Sequence, residues 1–430
     1  MTLSRRLLMG AALAGACLIA SGCAGVPTET AAIRASAAAG LGLPTTSPEA
    51  AGFSGAGLDA LRSELRQLVD AGKLAGVTTL AARGGKIVHF DTYGLANAET
   101  REPLKPDSIF RIASMTKPIV GVAMMQLWEQ GKWKLDDPVA LHIPEFASLK
   151  VRTADGRLEP MARPMTMAQL MSHSAGFGVS AVYEGDQLQA GSLQDMIDKL
   201  AKLPLSSQPG TVWDYGPSVN IQGYLVEKLS GQTLDVYLDE HIFRPLGMTD
   251  TGFWAPGDKA ARVVAVHTYD AEGRIRTNGP NRVTSERPRF LSGSGGLMST
   301  AADYWRFAQA VGNGGTLNGH RILKADTVRL MRTNVLPPSA KVDLYGPSQE
   351  GIGFGMDFAV VMDPAAAGTP QGLNTFYWGG AFGTWFWIDP THDVVFVGMI
   401  QNLNGSTPTG GTPRVREITP RALYAALTGR

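Results

Sequence analysis

The feature that most constrains this chain is a serine and a lysine three residues apart at the start of an apolar segment. Ser114 and Lys117 directly precede the apolar residues 119–127. Residues i and i+3 share one face of a helix, so both side chains would face the same space. A serine hydroxyl becomes a nucleophile when a neighbour takes its proton, and a lysine of lowered pKa is one such neighbour. The competing interpretation is a helix-capping serine beside a solvated lysine.

A second segment carries Tyr215, which follows Trp213 and precedes Gly216 and Pro217. Because glycine and proline favour a turn, the phenol of Tyr215 is able to project from it into a cleft. A phenol close to Lys117 would allow the two groups to pass a proton between them. The competing interpretation is a buried aromatic side chain with one hydrogen bond.

A third segment lies near the C-terminus and joins a glycine pair to alternating apolar residues. Trp378, Gly379 and Gly380 are followed by Ala381, Phe382 and an alternation that is typical of a β-strand. Glycines in a strand allow a substrate to approach the backbone closely. The competing interpretation is an aromatic-rich strand of the core.

Together these segments resemble the serine β-lactamase-like superfamily, and the chain is most similar to its family VIII carboxylesterases, which are relatives of the class C β-lactamases. Supporting matches occur at residues 135–139, 170–176, 245–251 and 295–303. The resemblance covers nearly the whole chain after its N-terminal segment. It implies an α/β (α+β) fold with an antiparallel sheet flanked by helices, plus a mostly helical part.

Two departures from the class C pattern bear on the substrate. Class C enzymes carry Tyr-x-Asn, where this chain has Pro217, and Lys-Thr-Gly, where it has Trp378-Gly379-Gly380. The lysine of Lys-Thr-Gly helps to bind the β-lactam carboxylate, and loss of a charge-assisted contact costs about 1.5–3 kcal/mol. Because Trp-Gly-Gly is the family VIII version, the resemblance implies short-chain neutral esters as substrates.

The resemblance also implies a role for each site residue. Ser114 forms an acyl-enzyme, Lys117 and Tyr215 share the transferred proton, and the backbone N–H groups of Ser114 and Ala381 hold the oxyanion. Whether Lys117 or Tyr215 is the base is left open. The residues expected to contact the substrate are Trp378, Gly379, Gly380 and Phe382.

Other functions fit the same residues. A β-lactamase or a D-alanyl-D-alanine peptidase would use the same acyl-enzyme, and an acyltransferase would pass the acyl group to a small acceptor. An inactive cell-envelope binding lipoprotein would need none of the three reactive side chains, which disfavours it. We expect no cofactor and no metal, because the 7 histidines form no close ligand pair. The 39 basic and 38 acidic residues indicate no nucleic-acid partner, and the oligomeric state is left open.

The N-terminus has the pattern of an export signal. Arg5 and Arg6 precede an apolar run that is shorter than the ~20 residues of a membrane-spanning helix. The run ends in Ala-Ser-Gly-Cys23, which resembles a bacterial lipobox. We predict a signal peptide at residues 1–23, export to the periplasm and lipidation of Cys23 with anchoring at the outer membrane; simple cleavage is the alternative. The small residues at 24–48 predict a flexible tether.

Residues 49–430 are predicted to form the catalytic body. Leucines at helical spacing predict a helix that ends at Gly72. Later elements are predicted as strands at 77–82, 86–90, 376–389 and 394–400 and a closing helix at 413–427. An α/β part would then combine residues 49–130 and 290–430, and a helical part at 131–289 would supply the other wall of a cleft.

Overall fold

The computed structural model describes residues 37–179, 190–278, 285–343, 349–403 and 411–428. The predicted signal peptide, Cys23 and the first part of the predicted tether lie outside these residues. Within the described residues, no helix combines the length and the apolar character that crossing a bilayer requires.

An eight-stranded antiparallel sheet, built from both ends of the chain, forms the centre of the fold. Its strands are β1 (Gly76–Arg83), β2 (Lys86–Asn97), β3 (Glu102–Pro103), β4 (Ile352–Phe354), β5 (Ala359–Val361), β6 (Phe376–Gly379), β7 (Trp385–Asp389) and β8 (Val394–Met399). In space they follow the order β4-β5-β6-β7-β8-β1-β2-β3. The C-terminal strand β8 therefore lies beside the N-terminal strand β1 in the middle of the sheet, and β4 and β3 form its two edges.

Helices cover both faces of this sheet, and most of them lie in the chain between β3 and β4. They are α1 (Gly55–Asp70), α2 (Thr116–Glu129), α3 (Val139–His142), α4 (Met167–Met171), α5 (Leu193–Leu200), α6 (Ser218–Ser230), α7 (Leu234–Leu238), α8 (Arg244–Leu246), α9 (Ala301–Gly312), α10 (Ala325–Met331) and α11 (Val415–Ala425). On one face, α1 and α11 share a core with residues of β7 and β8, such as Trp387 and Phe396. On the other face, α2 is almost entirely buried, as its run of apolar residues requires. The predicted fold class is confirmed.

The local predictions at the N-terminal end of the body are confirmed. Helix α1 ends two residues before Gly72, and β1 and β2 form the predicted hairpin. The two residues between these strands, Gly84 and Gly85, have φ of 58° and 72°. Glycine adopts such positive φ without steric cost, and two-residue hairpin turns require it.

The prediction of one continuous strand over residues 376–389 is wrong. Residues 376–379 and 385–389 form β6 and β7, which pair with each other as a hairpin. The chain reverses in a tight turn, in which the Gly383 N–H donates to the Gly380 carbonyl over 3.0 Å. Gly380 has no room for a side chain, because a Cβ there would lie only 2.3 Å from the Ile112 carbonyl oxygen. Gly383 completes the reversal with a φ of 93°.

Residues 37–48 do not form a flexible tether. Ala38 and Leu43 expose only 1% and 5% of their surface. The Thr46 N–H donates to the Ile87 carbonyl over 3.0 Å, and this contact attaches the segment to β2. The packed body therefore begins before residue 49, because the apolar residues of this segment are buried against it.

Candidate active site

Ser114 lies in a 3₁₀ turn, Ala113–Met115, that leads directly into α2. Ala113 has a φ of 45°, a left-handed conformation that costs energy for a residue with a Cβ atom. Ala113 and Met115 are buried, whereas Ser114 is partly exposed. The turn thus presents the Ser114 hydroxyl to the cleft at the positive end of the α2 dipole.

Lys117 is a buried amine in contact with the Ser114 hydroxyl. Its Nζ lies 3.0 Å from Ser114 Oγ and donates to the Ser294 carbonyl over 2.7 Å. Burial lowers the pKa of Lys117 to about 7, although the negative charge of Asp357 opposes this effect. A large share of Lys117 is therefore neutral at physiological pH, with a lone pair that is able to accept the Ser114 proton.

Tyr215 completes the group of three. Lys117 Nζ lies 4.6 Å from the centre of the Tyr215 ring. Burial raises the pKa of Tyr215 to about 12, against the opposing influence of the Ser114 hydroxyl and the Trp378 indole. The Tyr215 turn needs Gly216, because a Cβ there would lie 2.5 Å from the Phe177 carbonyl oxygen. At neutral pH the phenol keeps its proton and is suited to donate it.

The turn between β6 and β7 is held close to Ser114. The Gly380 N–H donates to the Thr384 carbonyl over 2.7 Å, and Thr384 Oγ1 donates to the Ile112 carbonyl over 3.1 Å. Ala381, in this turn, is exposed. The structure thus brings together the two segments whose N–H groups, those of Ser114 and Ala381, are predicted to bind the oxyanion; the role itself stays a prediction.

Trp378 lies in an aromatic cluster beside Tyr215, and only 6% of its surface is exposed. Its ring centroid is 5.5 Å from that of Tyr215, 5.4 Å from that of Phe354 and 6.4 Å from that of Trp213. In this position Trp378 supports the phenol and leaves little of its own surface for a substrate. Phe382 is partly exposed, and its carbonyl accepts the Asn402 N–H over 2.8 Å. Substrate contact by Trp378, Gly379, Gly380 and Phe382 stays a prediction.

Arg416 on α11 was not found from the sequence. Its Nη2 donates to the carbonyls of Gly380 and Thr384 over 2.6 Å and 3.0 Å, so it clamps the turn that carries Ala381. Gly379 makes room for it, since a Cβ there would lie 2.7 Å from the guanidinium carbon. Nothing in the sequence pattern marks Arg416, because the contact depends on how α11 packs on the sheet.

Asn220 was also missed, although it lies in the same segment as Tyr215. Its Oδ1 accepts from Ser292 Oγ over 3.1 Å and from the Ser294 N–H over 2.8 Å. It thereby positions the Ser294 carbonyl that binds Lys117. The sequence feature that could have revealed this role is the position of Asn220, one helical turn after Pro217.

His173 and Asp357 form a further pair behind the site, and the sequence marked neither as functional. His173 Nε2 lies 3.8 Å from Asp357 Oδ1, and both side chains are fully buried. The His173 ring packs 4.8 Å from the ring of Tyr215. Across the described ranges, no group of three or more His, Cys, Asp or Glu side chains is arranged to hold a metal ion.

Comparison with known proteins gives the family. The model of the Beta-lactamase family matches residues 61–419. The chain belongs to the Beta-lactamase family. It is therefore a serine hydrolase of the β-lactamase fold, and the resemblance inferred from its motifs is confirmed.

Individual relatives agree with this membership. An uncharacterized protein of Mycobacterium tuberculosis is 34% identical over 400 residues, which cover 86% of this chain and 99% of the relative. Esterase EstB of Burkholderia gladioli is 33% identical over 346 residues, covering 73% and 83%. The solved structure of EstCE1, a hydrolase with promiscuous acyltransferase activity, superposes with a TM-score of 0.73 at 24% identity, covering 86% of this chain and 98% of that one. This last likeness shows the fold.

Proposed function

We propose that this Beta-lactamase family member hydrolyses short-chain carboxylic esters through an acyl-enzyme on Ser114. One observation carries the proposal: the buried amine of Lys117 lies 3.0 Å from Ser114 Oγ, and burial lowers its pKa to about 7. Near neutral pH, a base of this pKa is unprotonated in a large share of the molecules and is still basic enough to take the serine proton. The phenol of Tyr215, with a pKa raised to about 12, is a donor rather than the first base.

In the acylation step, Ser114 Oγ forms a bond to the ester carbonyl carbon and its proton moves to Lys117 Nζ. The N–H groups of Ser114 and Ala381 stabilise the oxyanion. When the intermediate collapses, the bond to the leaving alkoxide breaks and Tyr215 supplies its proton. Lys117 then returns the proton to Tyr215. Water completes the cycle by attacking the acyl-enzyme, with the same two groups handling its proton.

The preference for neutral esters rests on the replacement of Lys-Thr-Gly by Trp378-Gly379-Gly380 and on the similarity to the esterase EstB. Arg416 does bring a cation to this strand. Its Nη2, however, is bound to the carbonyls of Gly380 and Thr384, so this donor is not free for a substrate carboxylate.

Export remains part of the proposal. Residues 1–23 would act as a signal peptide, and Cys23 would carry a lipid that attaches the protein to the outer membrane. Mass spectrometry of protein purified from the membrane fraction tests this point. A mature N-terminus other than a Cys23 that carries a diacylglyceryl group would contradict lipidation.

The experiment that tests the function replaces the nucleophile. Ser114→Ala should lower kcat for p-nitrophenyl butyrate by about 10³-fold or more, since the hydroxyl is the only group that changes. Ser230→Ala, at the end of α6, is the matched control and should keep wild-type activity. A reactive p-nitrophenyl phosphonate should release p-nitrophenol and add the mass of its phosphonyl group to the peptide that contains Ser114. A variant Ser114→Ala that retains a tenth of wild-type kcat contradicts the assignment.

The same preparation separates ester hydrolysis from its alternatives. If kcat/KM for a cephalosporin equals or exceeds that for p-nitrophenyl butyrate, the enzyme is a β-lactamase rather than an esterase. If added small alcohols or amines divert most of the acyl group, it is an acyltransferase. Release of D-alanine from a peptide that ends in D-alanyl-D-alanine would identify a peptidase.

A further inference from the structure

Asp357 and His173 are two buried polar residues with strained backbones, directly behind Lys117 and Tyr215. Their φ angles are 60° and 56°, in the left-handed region that residues with a Cβ atom rarely adopt. Both side chains have no solvent exposure. Strain and burial of polar groups each lower the stability of a fold. A function that needs a carboxyl group at this place would explain why the chain keeps it.

Three helices surround Asp357. Gln222 of α6 donates from Nε2 to Asp357 Oδ1 over 3.2 Å. The Asp357 N–H donates to the Met171 carbonyl at the end of α4 over 3.0 Å, and His173 follows α4 with its ring beside the carboxyl group. The third helix is α2, where Gly121 leaves the space: a Cβ there would lie 2.7 Å from Asp357 Oδ2. Within the described residues, Oδ2 has no hydrogen-bond partner.

Gly121 is one helical turn beyond Lys117, on the same face of α2. The Asp357 carboxyl group therefore reaches α2 one helical turn from Lys117, within range of a charge interaction with its amine. Burial raises the pKa of Asp357, and the charge of Lys117 opposes this increase. Burial lowers the pKa of His173, and Lys117 lowers it further, so the imidazole is neutral. The charged forms of Asp357 and Lys117 thus stabilise each other in an interior that disfavours either one alone.

We propose that Asp357 is a positioning residue that sets the protonation state of Lys117, and that Gly121 gives its carboxyl group access to α2. The inference rests on the proposed acylation of Ser114. When Ser114 Oγ loses its proton to Lys117 Nζ, a cation forms in the buried interior. The Asp357 carboxylate stabilises this cation electrostatically and gives up no proton itself. Gln222 holds the carboxylate through a hydrogen bond, the neutral His173 ring packs beside it, and the Tyr215 phenol remains protonated.

The pH dependence of Ser114 phosphonylation, followed by intact mass, tests this role. In the wild type the rate should rise with pH as Lys117 becomes neutral, with a midpoint near its pKa of about 7. Asp357→Asn keeps the shape and the acceptor for Gln222 but removes the negative charge. The midpoint should therefore move to lower pH by about one unit or more, and the plateau rate should fall because Lys117 becomes a weaker base.

Two further variants make the test specific. Gly121→Ala should move the midpoint in the same direction, because its Cβ would displace the carboxyl group, although alanine is the better helix former. Asp303→Asn is the matched control: Asp303 is also a buried carboxyl group, bound to the Asp250 N–H and to Arg306. Its replacement should leave the midpoint unchanged.

The outcomes separate this inference from the proposed function. An unchanged midpoint in folded Asp357→Asn overturns the inference, and so does an equal displacement in Asp303→Asn. If Asp357→Asn does not fold, Gly121→Ala supplies the same measurement, and an unchanged midpoint there overturns the inference. Absence of any Ser114 adduct in the wild type overturns the proposed acylation instead.

Discussion

Replacement of Lys117 by methionine should abolish activity and yet stabilise the protein. Lys117 is 3% exposed, and burial lowers its pKa from 10.5 to about 7. Because one pKa unit corresponds to about 1.4 kcal/mol, burial of this amine lowers the free energy of unfolding by about 4 kcal/mol at pH 7. Methionine fills a similar volume without a charge. It loses the contact with the Ser294 carbonyl, which is worth about 1 kcal/mol, and the attraction of Asp357, whose buried carboxyl group is then uncharged.

The net gain in the free energy of unfolding for Lys117→Met should therefore be about 2–3 kcal/mol near pH 7. The gain depends on pH. Between about pH 7 and pH 10.5, an unfolded chain holds the Lys117 proton and the folded chain does not, so the stability of the wild type rises with pH. Below this window both states are protonated and the cost is complete. The advantage of Lys117→Met should shrink by about 2 kcal/mol from about pH 7.5 to about pH 9.

Urea denaturation of both proteins at the two pH values measures these differences. Lys132→Met, at an exposed lysine just after α2, is the control for the loss of one positive charge. It should change the stability little and in the same way at both pH values. If Lys117→Met is less stable than the wild type near pH 7, or if its advantage does not shrink as the pH rises, then burial does not lower the pKa of Lys117.

Two further substitutions test the rest of the site. Tyr215→Phe keeps the ring beside Trp378 but removes the proton donor, so kcat for p-nitrophenyl butyrate should fall by about 10²–10⁴-fold with a smaller effect on KM; a kcat within threefold of wild type would contradict the donor role. Arg416→Met removes the clamp on the turn that carries Ala381, so kcat should fall by about tenfold, given a charged hydrogen bond worth about 1.5 kcal/mol or more. Arg414→Met, which removes only an exposed contact with Glu417, should leave kcat unchanged; equal losses in both arginine variants would contradict the clamp.

The predictions that needed only neighbours in the chain were the ones that succeeded. The pair Gly84-Gly85 predicted a hairpin because a two-residue turn depends on the backbone freedom of its own residues. The S-x-x-K spacing predicted that Ser114 and Lys117 meet because residues three apart on a helix are neighbours, and their reactive atoms lie 3.0 Å apart. The succession of motifs along the chain was enough to predict the family and the fold class.

The predictions that failed depended on contacts between distant segments. Residues 376–389 alternate as a strand should, yet they are divided by a turn that the distant Ile112 carbonyl holds through the Thr384 hydroxyl. Residues 37–48 have the composition of a linker, yet Ala38 and Leu43 are buried in the hydrophobic core. Local pattern describes how a segment could fold, and packing partners decide among the possibilities.

The sequence by itself selected the side chains that we propose carry the chemistry: a serine, a lysine and a tyrosine in the order of a known family. The tertiary structure decided how reactive they are. The pKa of Lys117 depends on its burial and on Asp357, which is remote in sequence, and the turn with Ala381 depends on Arg416 from the last helix. Desolvation and charge act through space, so the protonation state of a base is a property of the packed interior and not of the motif that contains it.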